Sequence, residues 1–210
     1  SALDVPVTMI EGRRVTDRRT LDIVTMVYAG LVNKRVVAAL QAIGCNAIGL
    51  SGSDGDAIRA VRRAPEPVDY GYVGDINASS VNVRLLTDLL GCGMVPVLCA
   101  ITHDGDGLLL NCNADTIASS VAVALSQVRE TELIYCFEQP GVLTDINDKS
   151  SVIPLITPDD FPALKESGVI SAGMIPKIKN ALDAVRKGVR YVSVKSSDDI
   201  LGCTGTTVRL

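Results

Sequence analysis

Residues 17–43 constrain the fold of this chain more than any other stretch. They read as one helical block, opened by Thr16 as a cap and closed by Gly44. Leu21, Val24, Tyr28 and Leu31 make one apolar face, yet Ile23, Val27, Val32, Val36 and Val37 make much of the rest apolar too. A helix apolar nearly all round has to be covered on two sides. One side is expected to meet the core and the other a second copy of the chain, giving a homodimer through the 17–43 helix.

Short apolar runs alternate with helical patterns along the rest of the chain. Ala47-Ile-Gly-Leu50 reads as a strand. Ser51-Gly-Ser-Asp-Gly-Asp56 and Tyr70-Gly-Tyr-Val-Gly-Asp75 bracket hairpin-like structure around a charged patch at 59–63. Residues 80–91 read as a helix and Met94-Val-Pro-Val-Leu-Cys-Ala100 as a buried strand. A glycine-rich turn at 104–107 leads to Leu108-Leu-Leu110, then to Asn111-Cys-Asn-Ala-Asp115 and an alanine-rich helix to about Gln127. Glu132-Leu-Ile-Tyr-Cys-Phe137 and Arg190-Tyr-Val-Ser-Val194 are further strands. Between them Thr157-Pro-Asp-Asp160 starts a helix, with Thr as cap, Pro at N1 and an acid at N3; it stops near Gly168. Strands alternating with helices of this length predict an α/β fold with a mainly parallel sheet. A boundary between two lobes is expected at 127/128.

Ser171-Ala-Gly-Met-Ile-Pro-Lys177 puts a lysine where a helix least favours one. Pro176 suits a first turn, and Ile178, Ala181, Leu182 and Val185 recur at i, i+3, i+4, i+7. Lys177 therefore falls at a helix N-terminus, whose partial positive charge disfavours a cation by ~0.3–1 kcal/mol. Such an end already attracts phosphate through its free N–H groups, and a lysine strengthens the attraction. A phosphate site and a solvated lysine both fit these residues. Asn111, Asn113 and Asp115 cluster where an apolar run ends, the place ligands bind in α/β sheets. A capping amide and a first-turn acid are equally ordinary there.

The bulk composition excludes several classes of function. The formal net charge of −4, with no long basic run, argues against nucleic acid and anionic membranes. No run approaches 18 uninterrupted apolar residues, and the first residues lack the pattern of a signal peptide, so a soluble, cytoplasmic protein is expected. Six scattered cysteines without C-x-x-C read as buried free thiols in a reducing compartment. His103, the single histidine, reads as a solvated turn residue. Walker A and G-x-G-x-x-G loops are absent, and Leu108 and Leu109 spoil a calcium loop after Asp104-Gly-Asp106, so no metal ligands are assigned.

Gly12-Arg-Arg14-Val-Thr-Asp17, Gly30-Leu-Val-Asn-Lys34, Leu110-Asn-Cys-Asn-Ala-Asp115, Gly173-Met-Ile-Pro-Lys177 and Thr204-Gly-Thr206 follow one another in order. In this series the chain resembles the N-acetylglutamate kinases of the amino-acid kinase family, from about Leu3 to its C-terminus. Val73-Gly-Asp75, Tyr135-Cys-Phe-Glu138 and Ser151-Val-Ile-Pro154 are similar to the branch of bacteria using succinylated intermediates. The resemblance implies a three-layer αβα sandwich and transfer of the ATP γ-phosphate to the side-chain carboxylate of an N-acyl-L-glutamate, with Mg²⁺. Residues 1–127 would hold the acyl amino acid and the dimer contact, and 128–210 would hold ATP. It implies that Arg14 grips the substrate α-carboxylate, with Asn111 at the same end. Asp115 would organise the catalytic lysines, Lys177 would contact the transferring phosphate, and Glu138 would lie beside the nucleotide. The usual Ser-Asp pair reads Phe137-Glu138 here.

A carboxylate nucleophile is ionised at pH 7 and needs no general base, which suits a chain with one histidine. The family also opens with a Lys-x-Gly-Gly loop and a second glycine-rich loop that this sequence does not contain, so a further N-terminal segment is expected in the natural protein. Without it the chain is expected to be catalytically silent. Two competing functions are a non-catalytic ligand-binding or regulatory member and a kinase acting on glutamate, aspartate or carbamate. The combination of Arg14 with Asn-x-Asn-Ala-Asp argues against the latter.

Overall fold

The structure is a computed structural model that describes residues 7–10, 13–170 and 174–210. Gly12 and Gly173 of the motifs above lie outside the described residues. The chain divides into two compact units, one up to Ile117 and one from Ala118 onward.

In the first unit β1 (Met9–Ile10) and β2 (Arg13–Arg14) form a short antiparallel pair. A continuous helix follows in three parts: α1 (Arg18–Thr25), a π-helical segment Met26–Val32, and α2 (Asn33–Ala42). Asp17, not Thr16, is the cap, its Oδ1 accepting from the Thr20 amide at 2.7 Å. Thr16 is fully buried and spends its backbone on the 70–72 segment instead, pairing with Tyr70 O and Tyr72 N. Gly44 ends the helix at φ +80°, a conformation that favours glycine.

Leu21 and Val24 meet Ile101 in the core, with Tyr28, Tyr72, Cys99 and Leu109 packed around them. Leu31, expected on the same face, is 49% exposed. The reason is the π-helical segment: winding more residues per turn shifts the phase of everything after it, so a 3.6-residue period read through it fails. The residue turned inward is Asn33, 3% exposed, whose Nδ2 donates to Val97 O at 2.8 Å. Its Oδ1 accepts from Lys34 Nζ, which also donates to Gly49 O. A side chain at Gly49 would collide with the Asn33 amide.

This helix, Arg18–Ala42, is long and apolar enough to cross a membrane by length and composition. Lys34 and Arg35 in its middle would each cost ~2.5–3.5 kcal/mol in hydrocarbon. The bonds of Asn33 and Lys34 to strand carbonyls instead seat it on a sheet.

β3 (Ala47–Leu50) pairs in parallel with β6 (Val95–Leu98), the residue pairs running from Ala47–Val95 to Leu50–Leu98. Between them lie β4 (Val61–Arg62) and β5 (Gly74–Asp75), an antiparallel pair, and α3 (Val83–Gly91), capped by Asn82. β6 was expected to be buried; it is half-buried, since among the described residues β3 is its single partner. β7 (Ile101–His103) and β8 (Leu109–Asn111) form the hairpin around the 104–107 turn. Asp104 Oδ1 stabilises that turn by accepting from the Asp106 and Leu108 amides. α4 (Ala114–Ser126) runs across the boundary between the units.

In the second unit β9 (Leu133–Phe137), β10 (Leu155–Ile156), β11 (Val192–Ser196) and β12 (Thr206–Val208) form one sheet in the order β10-β12-β11-β9. β9–β11 and β10–β12 are parallel, while β11–β12 is antiparallel. Helix α5 (Asp160–Glu166) begins later than Thr157, whose amide and hydroxyl both donate to Asp160. α6 (Met174–Arg186) lies against β11 and β12. Its predicted apolar stripe of Ile178, Ala181, Leu182 and Val185 is fully buried, along with Val192, Val194 and Val208. Each of the larger of these side chains contributes ~1.5–3 kcal/mol by burial. The expected α/β architecture is what the chain adopts.

Candidate active site

The two residues expected to bind the substrate lie together in the first unit. Arg14 and Asn111 line one cavity of about 440 Å³, floored by the π-helical segment and α2 and by the ends of β6 and β8. Tyr28, Val32, Val36 and Val97 make its wall largely apolar. Arg14 is the one lining residue, among those described, that carries a full charge. An anion with an apolar tail fits such a cavity, and a guanidinium can hold a carboxylate by two parallel bonds.

Asn111 is fixed from two sides. Its amide donates to Tyr72 O at 2.9 Å, and its Nδ2 donates to Thr16 Oγ1 at 3.1 Å. Thr16 Oγ1 in turn donates to Arg14 O at 3.3 Å, so one buried hydroxyl ties the arginine's backbone to the asparagine's side chain. Gly71 lets the 70–72 segment approach: its φ is +75°, and a Cβ there would strike the Thr16 carbonyl. Thr16 was read as a helix cap. Asn33, which also lines the cavity, stood in the Gly30-Leu-Val-Asn-Lys34 motif without a role assigned to it.

Cys99 and Cys112 line the same cavity, and burial pushes both thiols above their ordinary range. They stay neutral at pH 7 and add no negative charge beside Arg14. Cys112 Sγ donates to Gly74 O and lies 3.1 Å from Thr102 Oγ1. The expectation of buried thiols holds for Cys112 alone; Cys45 and Cys99 are half-buried and Cys92, Cys136 and Cys203 exposed, all six free.

Asn113 caps α4, its Oδ1 accepting from the amide and hydroxyl of Thr116. Asp115 follows on the first turn of that helix, half-buried. In the second unit Glu138 is exposed just past the end of β9. Lys177, on the first turn of α6, is half-buried with its ammonium 5.6 Å from the centre of the Tyr135 ring.

His103 departs from its expected role. Its side chain is 15% exposed at the end of β7, with Nε2 2.8 Å from Asp56 Oδ1. Asp56 also receives Arg59, and this donation is the main cause holding its carboxyl below the usual range. The histidine is thus part of an Asp56–Arg59 cluster rather than a solvated turn. Among the described residues no three His, Cys, Asp or Glu side chains converge as a metal cage.

The sequence pattern of the amino acid kinase family matches residues 1–196. An acetylglutamate kinase of Phocaeicola vulgatus is 49% identical over 207 residues, covering 99% of this chain and 80% of that protein. One from Methanopyrus kandleri is 44% identical over 204 residues, covering 95% and 81%. The crystal structure of smu.665 from Streptococcus mutans UA159 superposes with a TM-score of 0.83 at 32% identity, over 99% of this chain and 79% of that one. An N-acetylglutamate synthase of Neisseria gonorrhoeae shares the fold, with a TM-score of 0.81 at 22% identity, over all of this chain and 48% of that one. The chain belongs to the amino acid kinase family.

Proposed function

We propose that this protein is an ATP-dependent kinase that phosphorylates the side-chain carboxylate of N-acetyl-L-glutamate, making an acyl phosphate in arginine biosynthesis. The observation that carries this reading is kinship: relatives named acetylglutamate kinase are 49% identical to it over 99% of its length. The first unit takes the acyl amino acid and the second takes ATP. In the cavity Arg14 binds the α-carboxylate and Asn111, prealigned by Thr16, binds at the same end. The apolar wall faces the rest of this small substrate.

The attacking carboxylate is already ionised, so the protein's work is alignment and charge neutralisation. Lys177 meets the charge on the transferring phosphoryl group, Asp115 orders the lysines of the reaction, and Glu138 lies beside the nucleotide. Mg²⁺, when bound, neutralises phosphate charge; it is held chiefly by nucleotide phosphates and needs no protein cage. The enzyme works in the cytoplasm as a homodimer, with the exposed apolar residues of the 17–43 helix, such as Met26 and Leu31, covered by the second copy.

ADP release by the full-length gene product, measured with N-acetyl-L-glutamate, tests the roles. Lys177→Ala is expected to lower kcat about 100-fold or more. Arg14→Lys is expected to raise KM for the acyl amino acid about tenfold with kcat nearly kept, because an ammonium cannot copy a bidentate fork. Full turnover by Lys177→Ala would overturn the role given to that lysine, and absence of ADP release by the wild type with N-acetyl-L-glutamate would overturn the kinase reading.

A further inference from the structure

Lys177 carries its charge on four flexible carbons on the first turn of α6, where the partial positive charge of the helix end disfavours a cation. Strand β9 supplies a surface. Along it Leu133 and Tyr135 are buried while Ile134 and Cys136 are exposed, so Tyr135 points to the covered side of the sheet. The ring is 6% exposed and in register with the fully buried Val194. The Lys177 ammonium lies 5.6 Å from its centroid, inside the range in which the negative face of an aromatic ring attracts a cation. Next in the chain, Ile178 is fully buried and anchors this turn of α6. The other cations over tyrosines among the described residues are arginines, on Tyr70, Tyr72 and Tyr191.

We infer that Tyr135 is a positioning residue for phosphoryl transfer: its ring face is one of the contacts that fix where the Lys177 ammonium lies. The inference rests on the kinase reading. A lysine ordered before the reaction loses less rotamer freedom when it meets phosphate, a gain that falls on the chemical step. A ring serving merely as core filling would do nothing for kcat beyond what another apolar side chain does.

Two variants of the full-length gene product and one spectrum test this. Tyr135→Phe keeps the ring face and is expected to keep kcat within about twofold; Tyr135→Leu removes it and is expected to lower kcat about tenfold, with KM for the acyl amino acid nearly unchanged. In protein carrying ¹³C-dimethyl-lysine, the Lys177 resonance, assigned by its loss in Lys177→Arg, is expected upfield from ring current in the wild type and in Tyr135→Phe. An unshifted wild-type resonance overturns the inference and needs no Tyr135 variant, so a misfolded leucine variant leaves the test standing. A wild-type kcat in Tyr135→Leu, with turnover lost in Lys177→Ala, overturns this inference alone. Absence of turnover in the wild type overturns the kinase reading first, and this inference with it.

Discussion

Asn111 illustrates how a residue proposed to bind substrate is held in place by a neighbour. Thr16 Oγ1 both accepts from Asn111 Nδ2 and donates to Arg14 O. Thr16→Val would leave the asparagine amide short of a partner; we expect a loss of about 1–3 kcal/mol in urea unfolding and a raised KM for the acyl amino acid. Gly71→Ala should cost at least as much, since it combines a positive φ with a collision against Thr16 O; a fall in Tm checks it. Asp56 gives a pH dependence. Its folded pKa is depressed, first by the hydrogen bond from Arg59, so its contribution is present above the unfolded carboxylate pKa of about 3.9 and lost as pH falls through the lower folded value. Tm of the wild type should therefore drop more between about pH 5 and about pH 3 than Tm of Asp56→Asn. Arg14 and Asn111, named from their motifs, line one cavity, whereas Thr16 and His103 were misread. Their roles depend on segments far along the chain, Tyr70–Tyr72 and Asp56, that one-dimensional spacing does not bring near.

At the scale of elements, periodicity told the truth wherever a helix was regular. The stripe of α6 is buried as written, and α3, α4 and the strands β3, β9 and β11 fall where they were expected. It failed across Met26–Val32, where the π-helical winding sends Leu31 outward and Asn33 inward. No composition signal announces that change of pitch, because a π-helical turn is set by what the helix packs against. Here the inward amide meets Val97 O, and Gly49 leaves room for it. Gly49→Val is expected to push Asn33 away, deform the cavity it lines and lower Tm, with substrate KM raised in parallel. An unchanged Tm and KM would show that α2 does not depend on that close approach.

For the molecule as a whole, the exposed apolar surface of the 17–43 helix is the feature a single chain leaves unexplained. Met26 is 63% and Leu31 49% exposed on a helix that carries two strand-bound polar side chains on its inner side. Met26→Glu combined with Leu31→Glu is expected to convert a dimer to monomers in sedimentation velocity; a monomeric wild type would contradict the proposed pairing. The α/β class was legible from the alternation of elements, and the family from motifs spread over nearly the whole chain. Which units those elements form was less so: the compact units meet inside α4, ahead of the expected 127/128, because a helix gives no sequence mark where its neighbours change. The central claim is that ATP and N-acetyl-L-glutamate yield an acyl phosphate. The most direct measurement is to run that reaction with hydroxylamine present, which traps an acyl phosphate as a hydroxamate. We expect hydroxamate with N-acetyl-L-glutamate, little with free glutamate, and almost none with Lys177→Ala. ATP hydrolysis without hydroxamate, or equal trapping with free glutamate, would contradict it.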